Sequence, residues 1–235
     1  NEQGTQVLFD IDLDVREGEI LVIAGVQGNG QTELTEVILG NHSRTSGSVT
    51  LDGKELLGKS IKQILDLGLG FVPEDRTQDG LVGEFTIAEN LILDQSDRAP
   101  FVKGPSIRQD VVKANAQEKL KQYDIRAQSI DSTASQLSGG NQQKVVLARE
   151  LSRDLRLLVA SQPTRGLDVG SIEFVHEQIV AARDSGIPVI IVATELDEAT
   201  QLGDRIAVMY RGKVVGIVPA DTSRTVLGQM MAGVA

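Results

Sequence analysis

Residues 7–15 alternate, with Val7, Phe9, Ile11, Leu13 and Val15 apolar and Asp10, Asp12 and Asp14 between them. A period of two predicts a half-buried strand with one wet face. A continuous apolar run follows at 19–24 and ends in Gly25, as expected of a strand covered on both faces in a parallel sheet. Residues 32–39 then read as a helix closed by Gly40. Farther on, 48–53 predicts a strand and turn, 60–67 a short helix stopped by Gly68, and 70–73 a second strand edge. Helices are expected at 87–93 and about 107–123, separated by a Pro- and Gly-containing loop at 99–106. The alternation then resumes: strand 155–160, helix 171–184, strand 188–193 and helix 196–202. A hairpin through Gly212 joins 205–210 to 213–218, and 225–231 reads as a closing helix.

Strands alternating with helices predict an α/β fold with a mainly parallel sheet flanked by helices. The hairpin would supply an antiparallel edge. The helical middle, about 76–140, reads as a subdomain set on a core of 1–75 and 141–235, so that 1–235 forms one domain. A length of 235 residues suffices for one well-buried core. No internal repeat or low-complexity segment interrupts the pattern.

Composition removes several function classes. The formal charge is −10, the pI about 4.7, and the acidic residues are spread along the chain. A nucleic-acid partner is disfavoured, since phosphate backbones are bound by clustered Lys and Arg. There is no Cys, which excludes disulfides and thiolate metal sites. His42 and His176 stand far apart without companions at ligand spacing, and read as surface or packing residues. No apolar run reaches the ~20 residues of a membrane-spanning helix, and the amino end lacks a charged-then-apolar leader pattern. Membrane contact would go through a partner.

The loop at 25–32 reads Gly-Val-Gln-Gly-Asn-Gly-Gln-Thr. It fits the phosphate-loop pattern G-x-x-x-x-G-K-[ST] at every fixed position but one, where the lysine has become Gln31. Strand, glycine loop and helix follow in the order that pattern requires. Gly25, Gly28 and Gly30 would let backbone N–H groups turn toward phosphate oxygens, with the next helix start adding positive potential. Gln27, Asn29, Thr32 and Glu33 complete the candidate cradle, Thr32 standing where a hydroxyl would ligate Mg²⁺. Gln31 brings no charge. An ammonium about 4 Å from a phosphate oxygen is worth roughly 4 kcal/mol at an effective dielectric of 20, before desolvation. A ligand-free glycine turn is the plainer alternative. A dinucleotide loop is disfavoured, because G-x-G-x-x-G does not occur between positions 25 and 36.

Residues 137–144, Leu-Ser-Gly-Gly-Asn-Gln-Gln-Lys, carry a second candidate. Ser138 can cap a helix, Gly139 and Gly140 expose backbone N–H groups, and Asn141 and Gln142 extend the first turn. A helix start built from small residues receives an anion without needing a lysine. A well-capped helix start with no ligand is the alternative. A third stretch, 157–164, is an apolar run ending Ser161-Gln162-Pro-Thr. In phosphate-loop ATPases that strand ends in an Asp holding Mg²⁺ through water, followed by a catalytic Glu. Serine is neutral, and glutamine has no carboxylate to accept a proton.

Taken together, these motifs resemble the nucleotide-binding domain of an ABC transporter over essentially the whole chain. Residues 25–32 resemble Walker A, 137–144 the signature motif, 157–162 Walker B and 166–168 the D-loop with Asp168. Thr194-Glu195 takes the switch-histidine position, and Glu74, within VPEDR at 72–76, that of the Q-loop glutamine. VPEDR, LSGGNQQK and QPTRGLDVG resemble the second half of fused two-domain ATPases serving bacterial importers of monosaccharides and nucleosides, the last phrase leaning to nucleosides.

The resemblance implies an ABC-type P-loop NTPase fold and ATP with Mg²⁺ as ligands. The departures at Gln31, Ser161, Gln162 and Glu195 leave no intact catalytic group in the chain's own site, where nucleotide and Mg²⁺ at Thr32 would be held weakly at most. Members of this family pack two domains head to tail. That arrangement implies that residues 138–142 complete the competent ATP site of a partner domain, with Asp168 helping to register the halves. The implied partners are a first nucleotide-binding domain of the same full-length chain, transmembrane permease subunits and, indirectly, a substrate-binding lipoprotein. The implied place is the cytoplasmic face of a bacterial membrane. No aromatic residue precedes the first predicted strand, and the opening at Asn1 is expected to follow a missing first half. A nucleotide-sensing regulatory domain, or an ABC ATPase of translation or DNA repair, are the alternatives.

Overall fold

The computed structural model describes residues 5–41 and 45–234; His42 lies outside them. The chain divides into two compact units. The first is Asn1–Phe71, Asp154–Gln162 and Ile179–Ala235, and the second Val72–Arg153 and Pro163–Gln178.

The first unit is built on strands that bury all their side chains. They are β1 (Ile20–Ala24), β7 (Leu157–Ser161) and β8 (Val189–Ala193), each five residues long and buried throughout. Such runs need cover on both faces, and the sheet supplies it by parallel pairing. Ile20 faces Val189 and Leu158 also faces Val189, so β8 lies between β1 and β7. β9 (Arg205–Tyr210) runs parallel to β1 on its other side. β10 (Lys213–Pro219) returns antiparallel on β9 with an irregularity between Val214 and Gly216. With β4 (Leu69–Val72) the six-strand order is β10-β9-β1-β8-β7-β4. A separate small hairpin, β2 (Thr50–Leu51) with β3 (Lys54–Glu55), turns at Asp52 and Gly53, both at positive φ, as a two-residue turn demands.

One face of the sheet carries Leu21, Ile23, Val159, Val192 and Met209 into a core closed by Leu34 and Ile38 of α1 (Gln31–Ile38) and by Ile64 of α2 (Ile61–Asp66). α2 begins in a reciprocal Ser60–Gln63 cap. α7 (Leu196–Leu202) and α8 (Arg224–Met231) complete this unit.

The alternating segment at the amino end is not a strand of this sheet. Ile11, Leu13 and Val15 pack against the core as predicted of one face, but ahead of Asp10 it is Leu8, of the opposite parity, that does so. Asp10, however, adopts φ 50 and breaks the extended run, and no ladder forms. The period of two reported amphipathy correctly and strand pairing incorrectly.

In the second unit, α3 (Ile87–Asn90), α4 (Gln109–Gln122) and α5 (Gly139–Leu151) pack together. Fully buried Asn90 ties α3 to the preceding loop, accepting from Val82 N at 2.9 Å and donating to Val82 O at 3.0 Å. Arg149 of α5 donates to Gly80 O at 2.8 Å and pairs with buried Glu150. Arg153 bridges Glu150 and Asp94. These contacts draw α5 into the unit, which is therefore wider than the 76–140 stretch read from the sequence. The loop expected at 99–106 contains a small hairpin, β5 (Val102–Lys103) with β6 (Ser106–Ile107). Residues Arg76–Gly80 form a π-helical turn that no periodicity announced. α6 (Val169–Asp184) begins in this unit.

Candidate functional site

In the first unit, parallel pairing brings three of the predicted stations to one edge of the sheet. β1, β7 and β8 all end there, carrying Gly25 onward, Ser161-Gln162 and Thr194-Glu195. This is the carboxyl edge, where open α/β sheets place ligands.

The glycine loop is formed, but its chemistry is turned inward. Gln31 is 4% exposed. Its Oε1 accepts the Asn29 N–H at 3.1 Å and its Nε2 donates to Val26 O at 3.3 Å. A Cβ on Gly25 would lie 2.5 Å from that Nε2, so the glycine makes room for the amide. One of the N–H groups expected to face phosphate is thereby used inside the loop. Gly30, at φ 105, occupies the position before α1, and Thr35 Oγ1 donates back to Gln31 O at 3.0 Å. Gln27, Gly28 and Thr32 are exposed, Asn29 and Glu33 half-buried.

Asn29 has a role that the motif did not reveal. Its side-chain oxygen accepts from Arg211 N at 2.9 Å, and its carbonyl accepts from Gly212 N at 2.8 Å. The turn between β9 and β10 is thus fastened behind the loop. Gly212 (φ 75) leaves no room for a Cβ beside the Val7 carbonyl, and Phe9 N donates to Gly212 O at 2.8 Å. Nothing in the spacing of residues 25–32 pointed to these partners, which lie about 180 positions away.

Ser161 is buried at the end of β7. Gln162 follows at φ 42, a left-handed conformation immediately before a proline. Its N–H donates to Val192 O at 2.8 Å and its Oε1 accepts from Thr194 Oγ1 at 3.3 Å. Glu195 is exposed at the start of α7 and makes no capping bond. Among the described residues no three His, Cys, Asp or Glu side chains gather as a metal site. Thr32 and Ser161 offer only neutral oxygens for Mg²⁺, whose bound sites rely on carboxylates and substrate phosphates. Neither the amide-filled loop nor these hydroxyls fit a tightly held Mg²⁺–ATP.

The second unit holds the other stations. Ser138 is exposed and caps α5, its Oγ accepting from Asn141 N at 3.4 Å and Asn141 Nδ2 at 2.9 Å. Asn141 Oδ1 in turn accepts from Arg126 N at 2.8 Å, and Gln142 Nε2 donates to Ala134 O at 3.2 Å. The polar side chains after the glycines therefore build the frame. The N–H groups of Gly139 and Gly140 belong to the first helical turn and have no acceptor within the helix. These donors fit an anion. Lys144 is directed elsewhere, with Nζ 3.0 Å from Asp124 Oδ2 and 4.5 Å from the centre of the Phe174 ring. That ammonium holds the Asp124 carboxyl below the usual range.

Asp168 caps α6. Its Oδ1 accepts from Ser171 N at 3.0 Å and its Oδ2 from Ser171 Oγ at 2.7 Å, which lowers its pKa. Ser171 in turn fills the space off Gly140, so no larger residue fits there. Glu74, at the Q-loop position, pairs with Arg165. His176 lies half-buried on α6. Arg76 and Arg165 are site neighbours that the motif reading passed over.

Comparison with known proteins agrees with this arrangement. A profile of the ABC transporter family matches residues 8–165. The nucleoside import ATP-binding protein NupA of Lactococcus lactis subsp. cremoris is 43% identical over 232 residues, covering 98% of this chain and 46% of that protein. The glucose import ATP-binding protein of Haloferax volcanii is 42% identical over 236 residues, covering 99% of this chain and 43% of that protein. The chain thus spans less than half the length of these curated relatives. Among solved structures, a dimeric bacterial ABC transporter cassette superposes with a TM-score of 0.77 at 25% identity, covering 92% of each chain. The α/β fold with its mainly parallel sheet, the glycine loop and the LSGGNQQK segment in family order place this chain in the ABC transporter family.

Proposed function

We propose that this chain is the nucleotide-binding domain of an importer for nucleosides or monosaccharides, and that it completes another domain's ATP site rather than running its own. The relatives that resemble it are nucleoside and sugar import ATP-binding proteins of about twice its length. The partner is a first nucleotide-binding domain of the same full-length chain. The pair works on transmembrane permease subunits at the cytoplasmic face, with a substrate-binding lipoprotein delivering cargo. Among the described residues no helix is long and apolar enough to cross a membrane.

The carrying observation is the contrast between two anion receptors. In the loop at 25–32 a buried amide takes an N–H group for itself. At the start of α5, Ser138 and Asn141 hold the frame while the Gly139 and Gly140 N–H groups stay available. In the competent site, Ser138, Gly139 and Gly140 bind the γ-phosphate of ATP held by the partner, with Asn141 and Gln142 fixing their geometry. ATP supplies the phosphoryl bond whose hydrolysis drives transport. Gln162 contributes no proton transfer in the chain's own site, since an amide has no carboxylate to accept a proton.

The test is made in the full-length ATPase assembled with its permease. Ser138→Arg, which places a bulky cation over the first turn, should reduce hydrolysis and transport by about 100-fold, the scale for losing oriented donors. Ser161→Ala should leave both within about twofold of the parent. Hydrolysis undiminished in Ser138→Arg would refute the reading.

A further inference from the structure

Glu74, Arg165 and Arg76, all in the second unit, form a chain of contacts that ends on the signature glycines. Glu74 follows β4 at the Q-loop position, yet its carboxylate is engaged by the Arg165 guanidinium. The backbone carbonyl of Arg165 accepts from Arg76 Nη1 at 3.1 Å. The Arg76 guanidinium then fills the space above Gly139: a Cβ there would lie 2.5 Å from Nη2 and 3.3 Å from Cζ. Arg76 Nε is buried without a hydrogen-bond partner. The nearest carboxylate in sequence, Asp75, is turned to Thr77 and Gln78, which hold its pKa low.

Stability does not account for this arrangement. Arg165 is 57% exposed, and an exposed ion pair adds little to folding. A guanidinium against a helix N-terminus is opposed by the helix dipole, and an unpaired buried N–H is unfavourable too. The contacts do, however, link the segment after β4, the segment after β7 and the first turn of α5 by groups of fixed shape. Gly139 must remain glycine for Arg76 to sit there.

We propose that Glu74, Arg165 and Arg76 are positioning residues that set where the first turn of α5 presents its N–H groups. This rests on the reading that those groups meet the partner domain's ATP. Glu74 on this view has exchanged a glutamine's ligand role for a mechanical one.

Charge reversal tests it in the full-length ATPase with its permease. Glu74→Arg and Arg165→Glu should each lower the kcat of transport-coupled hydrolysis about tenfold, with the thermal midpoint unchanged. The double reversal should restore kcat to within about threefold of the parent. If a reversal lowers the midpoint, Glu74→Gln and Arg165→Met remove the pair without adding charge, and should show the same loss of kcat. Ser138→Arg runs alongside. Loss of activity in Ser138→Arg with wild-type kcat in every Glu74 and Arg165 variant overturns the positioning role and leaves the donated signature standing. A silent Ser138→Arg overturns the reading beneath both. Loss of kcat that follows the midpoint in all variants, with no rescue by the double reversal, makes the pair structural and also overturns the proposal.

Discussion

Replacing Gln31 with alanine measures how far the glycine loop supports itself. The change removes two hydrogen bonds, from Asn29 N at 3.1 Å and to Val26 O at 3.3 Å. Each is worth about 0.5–1.5 kcal/mol, and the Asn29 N–H then lacks a partner in a partly buried loop, at about 1 kcal/mol or more. Val26 is 55% exposed, so water can satisfy its carbonyl. Alanine at the first position of α1 returns a few tenths of a kcal/mol in helix propensity. The net loss is about 2 kcal/mol, or about 4–8 °C in a domain of this size. Thermal and urea unfolding followed by circular dichroism read it directly. Gln31→Met, which fills the same volume without polar atoms, should lose about as much as alanine, since the hydrogen bonds and not the packing are at stake. A Gln31→Ala protein within about 0.5 kcal/mol of the parent would refute the claim that the amide holds the loop.

Four further outcomes are expected. About 1 mM Mg²⁺–ATP should leave the thermal midpoint of this chain unmoved, because a ligand at only ten times its Kd would add more than 1 kcal/mol. Gln162→Gly relieves a left-handed φ of 42 and should raise stability by about 0.5–1 kcal/mol after glycine's own entropy is counted, seen as a higher urea midpoint. Gly212→Ala should prevent normal folding, read as loss of soluble expression or a collapsed near-ultraviolet spectrum, because the Val7 carbonyl occupies the space a methyl would need. Glu19 has its pKa lowered from 4.5, first by its hydrogen bond to Arg205. A lowered folded pKa means the contribution is complete above the unfolded value and disappears as pH falls through the folded one. Urea midpoints should therefore drop as the pH is taken down through and below the ordinary Glu value of 4.5 in the parent, and drop less in Arg205→Gln.

The strands that position the site were legible because their burial is uniform. Residues 20–24, 157–160 and 189–193 are apolar without interruption, which only a sheet covered on both faces allows. Residues 7–15 show the opposite case. Alternation marked the segment as half-buried, but the left-handed turn at Asp10 shifts its phase, so that Leu8 before the turn and Ile11, Leu13 and Val15 after it meet the core. The site divided in the same way. Gly139 and Gly140 could be read as helix-start donors from local chemistry. The Asn29–Gly212 fastening and the Glu74–Arg165 pair could not, since each depends on a partner that tertiary packing alone supplies, and the inward amide of Gln31 could not, since its local partners Asn29 N and Val26 O are fixed by the loop's backbone path. The contact of the Asp168 carboxylate with Ser171 at the start of its own helix is a further local feature that the motif does not convey.

The fastening of the β9–β10 turn to Asn29 bears on how such a loop can change over time. Gly30 and Gly212 approach so closely that a Cβ on Gly30 would lie 3.1 Å from Gly212 Cα. The glycines therefore answer to the architecture whether or not phosphate ever arrives. Position 31 is not held by such a close backbone approach, and here glutamine fills it with a donor to Val26 O and an acceptor for Asn29 N. The outline of the motif is thus held by backbone packing that a change at position 31 need not disturb.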